Sequence, residues 1–116
     1  MLAGLVFPLM AIAGCGGGAT TGASASLPPG TVDLVKFQFS PRELVIASGT
    51  SLTFVNKDGA AHTVTEGIDG SPAPSARFDD RLDEGRQVVI PFAAPGTYQL
   101  TCKFHPTMSM TVNVRP

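Results

Sequence analysis

Pro95-Gly96-Thr97-Tyr98-Gln99-Leu100-Thr101-Cys102-Lys103-Phe104-His105-Pro106-Thr107-Met108 reads as a turn, a strand and a short loop. Pro-Gly punctuates, and Thr-Tyr-Gln-Leu alternates in the two-residue period of a half-buried strand. Cys102-x-x-His105-x-x-Met108 then places a thiolate, an imidazole and a thioether on one loop. Some forty residues upstream, Ala61-His62-Thr63 supplies a second imidazole. Each residue alone has a bland reading: a Cys beside an apolar strand is commonly a small buried hydrophobe, and a lone His or Met is commonly packing. Arrangement changes this, because three donors on one compact loop converge with no long-range coincidence. Two imidazoles with a soft thiolate and thioether suit copper cycling between its cuprous and cupric states, whereas a closed zinc site takes several Cys or His and rarely Met. The chain holds two His in all and one Cys besides Cys102, namely Cys15.

Working outward, the pattern from Val32 onward is all-β. Alternation runs through Val32 to Phe39, Glu43 to Ile46 and Ser51 to Asn56, with further strands expected at His62 to Glu66, Arg86 to Phe92, Thr97 to Cys102 and Ser109 to Val114. Turn residues at Ser48-Gly49, Lys57-Asp58-Gly59 and Ala94-Pro95-Gly96 bound them. This predicts a Greek-key β-sandwich of about seven to eight strands. The segment Gly67 to Gly85, rich in Gly, Pro, Asp and Ser, reads as a long surface connection with a short strand around Ala76 to Phe78. Its Asp79, Asp80, Asp83 and Glu84 alternating with Arg77, Arg81 and Arg86 read as a solvated charged face with no chemistry.

At 116 residues with net charge −1, the chain has room for one domain and offers no footing for nucleic acid or anionic lipid. No charged residue precedes Asp33. Residues 1–14 read as an export signal, since Leu2 to Met10 is apolar but too short to span a bilayer. Ile12-Ala13-Gly14-Cys15 resembles the lipobox of bacterial lipoproteins, which makes Cys15 the expected lipid-bearing residue; the alternative is an ordinary secretory signal. Such signals ordinarily open on Lys or Arg, absent here, which points to a natural start other than Met1. Residues 15–30 form the lipidated Cys and a flexible linker of roughly 20 Å reach by the random-coil relation. Residues 31–116 are the folded domain, expected on the periplasmic or extracytoplasmic side and anchored to the membrane by lipid.

In this domain Phe39-Ser40-Pro41, Asn56 six residues ahead of His62, Phe78-Asp79, and Tyr98 four residues before Cys102 stand in order ahead of Cys102-x-x-His105-Pro106-x-Met108. Together they resemble the cupredoxins, in particular the plastocyanin and amicyanin group, over essentially all of Val32 to Val114. The resemblance implies one type 1 copper, with His62, Cys102 and His105 as a trigonal plane and a Met as axial ligand. Met108 is expected in that role because it stands four residues before Val112-Asn113-Val114; Met110 is the alternative. It also implies a monomeric, non-enzymatic electron carrier that docks transiently to a redox donor and acceptor near His105. The rim would be Ala60, Ala61, Phe104, Pro106 and Thr107. Copper delivery or resistance is the competing function. Three positions depart from the family: Thr63 where Asn often braces the ligand loop, Lys103 beside the Cys, and Phe104 in place of Pro. Phe104 therefore keeps a backbone N–H, expected to reach the Cys102 sulfur.

Overall fold

The computed structural model describes residues 30–116, together with Gly4. Ten strands follow in order: β1 Thr31–Val35, β2 Gln38–Ser40, β3 Glu43–Ala47, β4 Thr50–Asn56, β5 His62–Ile68, β6 Ser71–Pro72, β7 Asp79–Leu82, β8 Gln87–Phe92, β9 Gly96–Thr101 and β10 Ser109–Arg115. One sheet has the order β2-β1-β4-β8; the other runs β3-β10-β9-β5-β6, with β7 also paired to β5. β1 beside β4 and β10 beside β3 are parallel pairs, and the remaining pairs are antiparallel.

The alternation seen in the sequence is the core. Val32 and Leu34 of β1, Leu52 and Phe54 of β4, and Ile90 and Phe92 of β8 are buried from one sheet. Tyr98 and Leu100 of β9 with Met110, Val112 and Val114 of β10 are buried from the other. Each such side chain contributes about 1.5–3 kcal/mol by leaving water. That burial holds two aligned sheets face to face.

The run Val32 to Phe39 is not one strand. It folds back as a hairpin, Val35 pairing with Gln38, around Lys36 and Phe37 at φ 54° and 57°. Two-residue hairpin turns of this hand need positive φ at both central positions and ordinarily use Asn-Gly. For residues with a Cβ the conformation costs about 1–2 kcal/mol each. The offset comes from Asp58, whose carboxylate accepts the N–H of Lys36 at 2.7 Å and of Phe37 at 2.9 Å. Hydrogen bonds to a charged group contribute about 1.5–3 kcal/mol each, enough to hold the turn.

Gly67 to Gly85 is also more ordered than a wandering loop. It contains β6 and β7, and the short strand falls at Asp79–Leu82 rather than Ala76 to Phe78. Several of its charges have fixed partners. Arg77 grips Glu66 through Nε to Oε1 at 3.0 Å and Nη2 to Oε2 at 2.6 Å. Its guanidinium carbon lies 4.0 Å from the centroid of the Tyr98 ring, and Nη1 donates to the Tyr98 hydroxyl. That hydroxyl in turn donates to the Ala94 carbonyl at 2.6 Å. The Arg77 guanidinium beside Glu66 holds its carboxyl below the ordinary range, against the opposing effect of burial.

Candidate metal centre

Three of the predicted donors meet at one end of the sandwich. His62 opens β5, Cys102 follows β9, and His105 lies on the loop between β9 and β10. Nδ1 of His62 is 3.1 Å from Nδ1 of His105, and Cys102 Sγ is 3.8 Å and 3.6 Å from these two nitrogens. A circle through the three atoms has a radius of about 2.0 Å, the length of a metal–imidazole bond. The donor set and its spacing therefore fit a single metal ion bound by all three. His62 and Cys102 are buried and His105 is half-buried.

Backbone hydrogen bonds shape the loop. Met108 N–H donates to the His105 carbonyl at 2.8 Å, while the Met108 carbonyl accepts from Cys102 N–H at 3.3 Å and from the Thr101 hydroxyl at 3.2 Å. Met108 thus sits at the foot of the loop, fully buried, before β10 begins. Met110 is buried too, but it lies two residues into β10, opposite Leu100 and on the same inward face as Val112 and Val114. The loop also packs against the Asp69-Gly70 turn. Gly70 has φ 77°, and a Cβ there would come within 2.9 Å of Pro106, so only glycine permits this approach.

Thr63 braces the site through two groups. Its hydroxyl oxygen accepts Lys103 N–H at 2.8 Å, and its own N–H donates to Cys102 Sγ at 3.3 Å. Phe104, expected to donate to that sulfur, does not supply the bond. The β5–β9 ladder runs only through Thr65 with Thr101 and Glu66 with Leu100, so at the metal end the Thr63 N–H is released from pairing with β9 and faces the thiol. A closed ring of hydrogen bonds follows. Asp79 can only accept, so the Thr65 hydroxyl donates to its Oδ1 at 2.9 Å, and the Thr63 hydroxyl, 3.0 Å from that of Thr65, donates in turn. Lys103 Nζ closes the ring on Asp79 Oδ2 at 2.7 Å. This ammonium is the main reason the Asp79 carboxyl lies below its ordinary range; burial opposes it and the Thr65 hydroxyl adds to it.

Asp58 is a site residue that sequence reasoning took only for a turn. Its Oδ2 lies 2.8 Å from His62 Nε2. An ionised carboxylate only accepts, so Nε2 donates to it, and Nδ1 is the ring nitrogen that faces Cys102 and His105. Burial is the largest influence on the Asp58 carboxyl and pushes it up, but the Phe37 N–H, His62 and the Lys36 N–H together outweigh it and leave it lowered. Asn56 fixes the connection that carries Asp58. Its Oδ1 accepts Asp58 N–H at 2.9 Å, and its Nδ2 donates to the Ala60 and Leu82 carbonyls at 2.8 Å and 3.0 Å. The only sequence signal was Asp58 standing four residues before His62, in a turn where Asp needs no further reason.

A two-sheet sandwich with a thiolate and two imidazoles converging at one end defines a mononuclear metal protein. The family model for copper binding proteins of the plastocyanin/azurin family matches residues 30–115. The chain belongs to that family and is a cupredoxin, with copper as its cofactor. It is 32% identical over 84 residues to plastocyanin of Ulva arasakii, covering 66% of this chain and 86% of that one. Chloroplastic plastocyanin of Physcomitrium patens is 35% identical over 72 residues, a match spanning 58% of this chain but only 43% of that protein. Among solved structures, a reduced amicyanin variant superposes with a TM-score of 0.64 at 26% identity over 73% of this chain and 80% of that one. The copper-containing nitrite reductase of Thermus scotoductus gives 0.64 at 33% identity, over 82% of this chain but 24% of the enzyme.

Proposed function

We propose that the domain is a one-electron carrier in which His62, Cys102, His105 and Met108 would together hold the copper. Bound there, copper supplies the one-electron couple. The observation that carries the reading is the contrast in exposure among the donors: Cys102, His62 and Met108 are fully buried, while His105 reaches toward solvent among exposed Phe104, Pro106 and Thr107. Buried donors braced by Thr63 and Asp58 keep one geometry for both oxidation states, which keeps reorganisation small. His105 is the exit for the electron. Donor and acceptor proteins dock transiently on the small rim around it, as weak redox encounters do, and the domain acts as a monomer.

Copper delivery, the competing function, needs donors that partners can reach and exchange, and three of these four are sealed. Catalysis is disfavoured because both His of the chain already belong to this centre, leaving none for a second, His-rich copper site. Repeated reduction and reoxidation of the copper-loaded domain tests the reading. Copper content is expected to stay constant over many cycles in the presence of a competing cuprous chelator. Stoichiometric loss of copper at each reduction would favour delivery instead.

The membrane tether belongs to this proposal as well. Cys15, the 1–14 signal apart from Gly4, and most of the 15–30 linker lie outside the described residues, and the support is the sequence Ile12-Ala13-Gly14-Cys15. One acyl-bearing residue would keep the carrier beside membrane-bound partners on the periplasmic or extracytoplasmic face. Cys15→Ala is expected to move the protein from the membrane fraction to the soluble one with no change in its visible spectrum. Wild type recovered only as a soluble species would refute lipidation.

A further inference from the structure

Asp58 lies where the β4–β5 connection, the Lys36–Phe37 turn and the buried ring of His62 meet. Its two oxygens accept three hydrogen bonds: Lys36 N–H on Oδ1, and Phe37 N–H and His62 Nε2–H on Oδ2. Orienting an imidazole needs only one of these. The other two set the left-handed turn, and the turn aims Phe37. The Phe37 ring stands edge-on to both metal-facing imidazoles, with centroids 5.4 Å from His62 and 4.8 Å from His105. It is still 49% exposed, so it covers the imidazole pair on one side and contributes to the surface on the other. A single carboxylate thus connects a buried ligand to an aromatic ring over the exposed one.

We propose that Asp58 is a positioning residue of the metal centre: it fixes His62 with Nδ1 toward the ion, holds Phe37 across the two imidazoles, and lowers the reduction potential. This rests on the copper reading above. A carboxylate accepting the outer N–H of a metal-bound imidazole makes the ring a better donor. Its negative charge, relayed through the ring, favours the cupric over the cuprous ion.

Two measurements test this, the first without copper. In the metal-free wild type, long-range proton–nitrogen spectra should show His62 protonated on Nε2, with through-space contacts from Phe37 to the His105 ring. An Nε2 that bears no proton, or a Phe37 ring free of His105, would overturn the proposal whatever any variant does. The second uses Asp58→Asn, which keeps an oxygen acceptor for the His62 N–H but removes the charge. The ratio of cupric to cuprous affinity should fall about tenfold, a rise in potential of about 59 mV for a one-electron couple. A purely structural role predicts an unchanged potential once His62 is shown to keep its tautomer, and that result would also overturn it. Absence of a thiolate band in copper-loaded wild type would instead strike the copper reading itself, with the copper-free spectra still deciding the placement of His62 and Phe37.

Discussion

Cys102→Ser is expected to abolish the intense visible absorption of the cupric protein completely, while the sandwich stays folded. The band requires a thiolate bonded to copper in the plane of two imidazoles. Among the described residues Cys102 is the only cysteine; it is fully buried, 3.8 Å and 3.6 Å from the two Nδ1 atoms, and aligned by the Thr63 N–H. A serine hydroxyl is harder and far more weakly acidic, so it provides no comparable charge-transfer donor. Thermal unfolding of the metal-free variant separates loss of ligand from loss of fold. A variant that still binds cupric copper and keeps the intense band would show that Cys102 is not the ligand.

The next largest effect is expected at Met108. Met108→Gln replaces a soft thioether with a hard amide oxygen, which stabilises the cupric ion and should lower the potential by on the order of 100 mV. Met110→Leu should leave potential and electron-resonance spectrum nearly unchanged. It is a swap of similar volume in a packed strand and costs less than about 1.5 kcal/mol in stability. The structural reason for the difference is placement. Met108 ends the loop that carries Cys102 and His105, held by hydrogen bonds to both residues, whereas Met110 belongs to the β9–β10 ladder and the core. If the large shift followed Met110 instead, the longer His-to-Met spacing would be the one in use.

The bracing of the sulfur alters what Phe104 is expected to do. With the N–H to Cys102 Sγ coming from Thr63, Phe104→Pro removes no donor to the sulfur and is expected to leave the potential nearly unchanged. Phe104 is instead an exposed ring 5.5 Å from the Arg81 guanidinium carbon, beside the half-buried His105. In the carrier proposed above its contribution would be to the docking rim.

Some local readings failed for identifiable reasons. Val32 to Phe39 looked like one strand because its alternation continues through Lys36-Phe37, a pair that carries no turn signal. The turn exists because a carboxylate more than twenty residues away takes both of its N–H groups. The charged segment before Gly85 looked solvated because opposite charges alternate along it. In the fold, Glu66 on β5 and the ring of Tyr98 on β9 select Arg77, and Thr65 and Lys103 select Asp79. Thr63 looked like a weakened brace because it replaces an amide, yet its hydroxyl and its backbone N–H reach the ligand loop together.

By itself the sequence determined the all-β class, the inward-facing residues and the order of the candidate copper donors. Those are local facts: a strand's two-residue period marks which side chains face the core, and Cys102, His105 and Met108 share one short loop. Tertiary structure alone decided what surrounds the donors. Thr63 on Cys102 and Phe37 over both imidazoles are contacts between segments distant in the chain, and Asp58, only four residues before His62, is held against that ring through Asn56 and the Lys36–Phe37 turn. Periodicity reports which face of a strand is buried but not which strand lies beside it or in what register, and register sets which N–H, hydroxyl or carboxylate reaches a given ligand atom.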